Sequence, residues 1–369
     1  MGRNALVISG GTARGAYAAG LVKGLFTRFP ELHRHVHLLS GTSTGSLITP
    51  ALGLYCVDPV RHRGLLDLIV KRYQVPSTEA FRDEPVRWWA RLLRWVLRGK
   101  LGEEGSRQVA MLAEQGAMLD AAPLRRTIDA EYTDALLQEL FAAREKVKVF
   151  VNCVSAQTGG LIAFSSADET MTPERFRTAI FASCMQPVLM PLAPLEQGGV
   201  KHELMDGGVR DVVPVETAFF AGATRVLAFA LFPDGDGVPK EGPFAGRENL
   251  VALGKRVLFD LLDGEVQDDD VLEARLLATL GRLVRFARAH GADDAAVRGL
   301  LELLRPEERE RFLAAGEEFD ALYVHRPDKS VHLEEDVRWT AEGMQKSIDA
   351  GSAAAASEEG QRMRDFLVT

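Results

Sequence analysis

The chain has 369 residues, 46% of them hydrophobic, and a formal net charge of −8 at pH 7. That length suits one large α/β domain with insertions, or two domains, and allows a sizeable buried core. The acidic balance argues against a general nucleic-acid surface, and no apolar run approaches the length of a membrane span.

The N-terminal run Ala5-Leu6-Val7-Ile8-Ser9 reads as a strand and is too short for a secretory leader. Gly2 is followed by Leu6 where a myristoylation signal wants Ser or Thr. The three cysteines, Cys56, Cys153 and Cys184, are odd in number and widely spaced, which suits a reducing compartment and no zinc site. The expectation is a soluble cytoplasmic protein.

The first strand runs into Ser9-Gly10-Gly11-Thr12-Ala13-Arg14-Gly15-Ala16-Tyr17, and a helical pattern follows with Leu21, Val22, Leu25 and Phe26 on one face. A glycine-rich turn entering a helix aims backbone N–H groups at one point, where they can bind an anion or a developing oxyanion. A dinucleotide fingerprint is the rival reading, but Thr12 stands at its middle glycine. Next, Leu38-Leu39-Ser40 enters Gly41-Thr42-Ser43-Thr44-Gly45 and then the helical Leu47, Ile48, Ala51 and Leu52. Strand, Gly-x-Ser-x-Gly and helix in that order are the signature of a nucleophile elbow, which exposes the serine hydroxyl above a sheet.

Residues 74–126 read as mostly helical. Arg87, Arg91, Arg94 and Arg98 share one helix face beside Trp88, Trp89 and Trp95, a basic amphipathic pattern. Within 82–100, six basic residues (Arg82, Arg87, Arg91, Arg94, Arg98, Lys100) stand against Asp83 and Glu84, a local charge of +4. The two readings are peripheral membrane contact through residues 87–98 and a helix packed on the domain beneath.

Val147–Val154 reads as a central strand, with Leu161–Phe164 as its hairpin partner after Gly159-Gly160. Thr172-Pro173 caps and opens a helix that reaches the loop Ala182-Ser183-Cys184-Met185-Gln186-Pro187. Asp206-Gly207-Gly208 follows a strand, and its glycines leave room for a close backbone. Thr224–Leu231 is a further buried strand, and Pro233 to Gly246 a polar loop. From about 250 to 318 the pattern is helical, with apolar residues at helical spacing and many arginines between Val271 and His290. A strand at Ala321–Val324, a last helix from about Glu334 to Ala350 and a frayed tail containing Ala353–Ala356 complete the chain.

Taken together, the glycine turn at 10–15, the elbow at Ser43 and Asp206-Gly207-Gly208 resemble the patatin-like phospholipases, a family of lipid acyl hydrolases. The resemblance covers roughly 1–230 and the last strand and helix. It implies an α/β, three-layer fold with a mostly parallel central sheet and helical insertions. The implied division is a catalytic domain over 1–249 with a helical insertion at about 74–126, a second insertion over 250–318, and a return to the catalytic domain over 319–369. It also implies a Ser43–Asp206 dyad without histidine. The oxyanion hole falls on Gly10, Gly11, Thr12, Ala13, Arg14 and Gly15, with donors from Gly11, Thr12 and Ala13. Gly41 and Gly45 shape the elbow, and Gly207 and Gly208 the aspartate motif. Thr12 departs from the family, which usually has glycine there. Arg14 is read as a buttress of the loop in preference to a headgroup contact.

The substrate expected is a phospholipid or lysophospholipid ester, with no cofactor, no metal and no nucleic acid. The runner-up mechanism is a Ser-Asp-His triad of α/β-hydrolase type, with His325 or His332 after Asp206. Two further classes are a catalytically silent lipid-binding scaffold and a nucleotide-binding module built on residues 10–15.

Overall fold

In the computed structural model of the protein, the described residues are 3–81, 92–93, 95–99, 102–103, 106–107, 109–110, 117, 119–187, 189–233, 263–302, 304, 306–315, 319–328 and 339–369. The chain starts with β1 (Asn4–Ile8), fully buried, and α1 (Gly15–Arg28). Strand β2 (Leu38–Thr42) turns at Ser43 into α2 (Thr44–Val57), which α3 (Gly64–Lys71) and α4 (Ser77–Ala80) follow. After α5 (Ala122–Glu131) and α6 (Asp134–Ala142) come β3 (Lys148–Ser155), β4 (Leu161–Ser165) and α7 (Pro173–Ala182). Then β5 (Ala193–Gln197), β6 (Val200–Asp206), α8 (Val215–Phe220) and β7 (Arg225–Phe229) complete the first 230 residues.

Helices α9 (Asp263–Ala289), α10 (Asp294–Leu300) and α11 (Pro306–Ala315) precede β8 (Ala321–His325), and α12 (Ala341–Ala356) and α13 (Glu358–Val368) end the chain. The basic tryptophan segment lies largely outside the described residues, including Arg87, Trp88, Trp89, Arg91 and Arg94, as do His332, the loop from 234 and residues 250–262.

The eight strands form one sheet in the order β5-β6-β3-β2-β1-β7-β8, with β4 paired to β3. The run β3-β2-β1-β7-β8 is parallel, and β4, β5 and β6 add antiparallel pairs at one side. Two apolar cores sandwich the sheet. One joins β1 and β2 side chains such as Leu6, Ile8 and Leu39 to α1, α2 and α7, and the other joins Ala5, Val7 and Val226 to α8, α9 and Phe312. The layering is helix, sheet, helix, the α/β arrangement expected of these alternating patterns.

One expectation changes. The tail is not frayed: the last helix begins at Ala341 and runs through Ala353–Ala356, and α13 follows it with Met363 and Leu367 buried. Alanine is the best helix former, so the small residues extend the helix instead of ending it. Strand β5 carries Pro194, which it tolerates because β5 is the edge strand, where proline removes no ladder bond.

Candidate active site

The register of β3 brings the two motifs together. Thr42, the last residue of β2, pairs with Asn152. On the same edge of β3, β6 arrives from the opposite direction and Asp206 pairs with Cys153, the next residue. Strands β2 and β6 therefore meet head-on, and Ser43 leaves the sheet beside Asp206.

Ser43 has φ 52° and ψ −120°. Among the described residues, it and Thr12 (φ 50°) are the non-glycine residues with positive φ. Both lie in the candidate site, where stored backbone strain concentrates. The turn is tight enough that a Cβ on Gly45 would sit 2.1 Å from the Ile8 carbonyl oxygen, and one on Gly41 2.5 Å from the Gly45 backbone. Neither position tolerates a side chain. The same holds for Gly207, whose Cβ would stand 2.5 Å from the Asn152 carbonyl oxygen.

The strained serine is tied down on both sides. Its N–H donates to Ser183 Oγ at 2.9 Å, and Ser183 donates onward to the Asn152 carbonyl at 2.7 Å. Its carbonyl accepts from Ser46 Oγ at 2.6 Å and from Cys184 Sγ at 3.4 Å. The loop that supplies Ser183 and Cys184 also holds the acid, because Asp206 N–H donates to the Met185 carbonyl at 2.9 Å. Sequence reasoning noted this loop without giving Ser183 a task. Its signal was a small hydroxyl residue just past the end of α7, and Asn152 was missed entirely.

Asp206 is fully buried. Its Oδ1 accepts the Gly208 N–H at 2.8 Å, while Oδ2 has no partner within hydrogen-bonding distance. Burial pushes the Asp206 carboxyl up to about 7, against the smaller opposing pull of the Ser43 side chain and the Gly208 N–H. Ser43 is thus close enough to act on the acid but does not bond its free oxygen in this state, and such pairs often tighten only when substrate is bound.

In the glycine turn, the Gly10 N–H is taken by the Val212 carbonyl and the Arg14 N–H by the Gly11 carbonyl, both at 2.9 Å. Gly10 and Arg14 therefore do not offer backbone donors. No acceptor among the described residues takes the N–H of Gly11, Thr12 or Ala13. Arg14 is buried, with its guanidinium 4.0 Å from the Phe232 ring centroid, the position of a loop buttress. Gly15 packs on Thr44 and Tyr73, which bond each other through their hydroxyls beneath the elbow. The Thr12 side chain occupies a left-handed position, which explains why glycine is the easier residue there.

His325 is committed elsewhere. Its Nε2 lies 2.9 Å from the Tyr17 hydroxyl and its Nδ1 3.2 Å from Glu359, and the ring stacks on Tyr17. Burial lowers its pKa, with Glu359 pulling the other way. Among the described residues, no group of three or more His, Cys, Asp or Glu is placed to hold a metal ion.

A family model described as patatin-like phospholipase matches residues 6–219, more than half of the chain. No curated protein matches. Among solved structures, VipD from Legionella pneumophila is similar at 12% identity and TM-score 0.38, covering 99% of this chain and 66% of that one. This chain thus spans just under two thirds of VipD. The ExoU–SpcU complex from the type III secretion system of Pseudomonas aeruginosa is similar at 17% identity and TM-score 0.25, covering 98% of this chain and 76% of that one. The assignment rests on the sequence match, which takes in the glycine turn, the elbow and Asp206: the chain belongs to the patatin-like phospholipase family of lipid hydrolases.

Proposed function

We propose that the protein hydrolyses carboxylic esters of phospholipids through an acyl intermediate on Ser43, with Asp206 as general base. Asp206 takes the Ser43 hydroxyl proton as Oγ attacks the ester carbonyl. The oxyanion formed is met by the N–H groups of Gly11, Thr12 and Ala13, and each such donor is worth about 3 kcal/mol of transition-state stabilisation. Collapse expels the lysolipid or glycerol alkoxide, which recovers the proton from Asp206. Water, deprotonated by the same carboxylate, then releases the fatty acid and restores Ser43.

The observation that carries this reading is the pairing of a strained, tied-down serine with a buried carboxyl pushed up to about 7. An ordinary carboxylate near pKa 4 is a poor base for a serine, and raising it toward neutrality makes it effective at physiological pH. The His325 contacts favour the dyad over a triad. Three free buried cysteines suit a cytoplasmic protein. The 87–98 segment is proposed to touch the membrane peripherally, and within it Leu92, Trp95 and Val96 are exposed.

The test is a fluorophosphonate label together with hydrolysis of a short-chain nitrophenyl ester. Label on Ser43, and loss of turnover in Ser43→Ala and in Asp206→Asn, are expected. Label on a different serine, or full turnover in Asp206→Asn, refutes the dyad.

A further inference from the structure

Helix α9 is apolar on two faces. Val271, Ala274, Leu277, Ala278 and Val284 are buried in the second core, which accounts for the inner face. On the outer face Leu272, Leu276, Leu283 and Phe286 are 56%, 56%, 49% and 64% exposed. At 100° per residue these four lie within one narrow stripe, spanning about 21 Å along the helix. Scattered exposed leucines need no explanation, but an aligned stripe with a phenylalanine marks a contact surface.

The charge beside the stripe says what kind. Arg275 and Arg282 run along one edge of it, and among the described residues neither is in an ion pair, whereas Arg285 pairs with Asp320 and Arg288 with Asp294. From Leu272 to His290 four arginines stand against one acid, Glu273, in a chain of net charge −8. Two copies pairing antiparallel through this stripe would bring their arginine edges together, which disfavours that self-association. A stripe of leucine and phenylalanine edged by arginine is the composition of a helix lying in an anionic membrane interface.

We propose that the outer face of α9 docks on an anionic lipid surface. The proposal deepens the lipid reading above and rests on it for the choice of surface. The N-terminal end of α9 adjoins the site, because Gln267 bonds both the N–H and the carbonyl of Phe232, the residue under Arg14. Docking through this helix would hold the elbow near the bilayer.

The experiment is co-sedimentation of the Ser43→Ala protein, which spares the vesicles, with phosphatidylcholine vesicles and with phosphatidylcholine–phosphatidylglycerol vesicles. Binding to the anionic vesicles is expected. Arg275→Glu/Arg282→Glu should weaken it about tenfold or more, and Leu276→Ser/Phe286→Ser should abolish it, with thermal melts near that of the parent. Absence of sedimentation by the parent, or unchanged sedimentation by both variants, overturns the proposal. A dimer by light scattering that Leu276→Ser/Phe286→Ser converts to monomer overturns it too, by assigning the stripe to a second copy. If the serine variant fails to fold, the exposed arginine pair carries the test alone. Because sedimentation needs no turnover, binding without esterase activity in wild type would refute the catalytic reading and leave docking standing.

Discussion

The Ser183 hydroxyl accepts the Ser43 N–H at 2.9 Å and donates to the Asn152 carbonyl at 2.7 Å, bridging the elbow to the central strand. It is fully buried. Ser183→Ala leaves a buried N–H unsatisfied on a residue already held at positive φ, a loss of about 1–3 kcal/mol. A melting temperature lower by several degrees and a fall in kcat exceeding any change in KM are expected in ester hydrolysis. Ser183→Thr keeps the hydroxyl and should recover part of both.

The pH profile follows from Asp206. As the proposed base it works only when ionised, so kcat/KM should rise with pH through an inflection near 7 and level off above it. A profile flat from pH 5 to 9 would be inconsistent with a buried carboxyl base.

Stability should run the other way. The folded Asp206 keeps its proton up to about 7, whereas an unfolded aspartate loses it near 4. Between these values the native state binds more protons, so stability declines as pH rises, by up to about 4 kcal/mol above pH 7. Asp206→Asn removes that penalty. It should melt higher than wild type at pH 8, by a margin that shrinks toward pH 4, while losing activity. Thermal melts across that range measure it.

His325 should matter for folding more than for rate. His325→Gln is expected to retain ester hydrolysis within a few-fold but to lower the melting temperature, because Tyr17 and Glu359 lose a shared partner. The folded pKa is depressed, so an unfolded histidine takes up its proton first and stability is lost as pH falls below about 6.5. The variant should lose less stability than wild type over that interval.

The two strained turns predict opposite outcomes. Gly45→Ala forces a Cβ to within 2.1 Å of the Ile8 carbonyl oxygen and should abolish both soluble expression and activity. Thr12→Gly relieves a left-handed threonine at an unfolded-state entropy cost of similar size, so its melting temperature should stay close to wild type. Its turnover should equal or exceed that of wild type.

The motifs at 10–15, 41–45 and 206–208 were legible because close backbone approach leaves glycine as the residue that fits. Ser183, Asn152 and the Tyr17–His325–Glu359 chain were not, because their roles come from contacts spanning up to 308 residues. The head-on meeting of β2 and β6 was equally invisible, since local pattern fixes that a strand exists and not which slot of the sheet it enters. The tail was misread for a different reason. Its alanines carry no periodic contrast, and the burial of Met363 and Leu367 depends on a core built mostly from the first half of the chain.

The pairing of α1 with α12 has a consequence for how the protein is made. A Cβ on Gly20 would lie 2.0 Å from the Ile348 carbonyl oxygen, and one on Gly351 2.1 Å from the Tyr17 carbonyl oxygen, so the two backbones touch along the helix that begins at the glycine turn. The groove on α1 stays empty until residues 341–356 leave the ribosome, some three hundred residues after the turn itself. Even once Asp206 has been made, the nascent chain lacks the helix that packs on α1. The glycine turn and the helix it opens are thus completed by a segment encoded far downstream, so a chain cut before residue 341 should leave α1 without its packing partner.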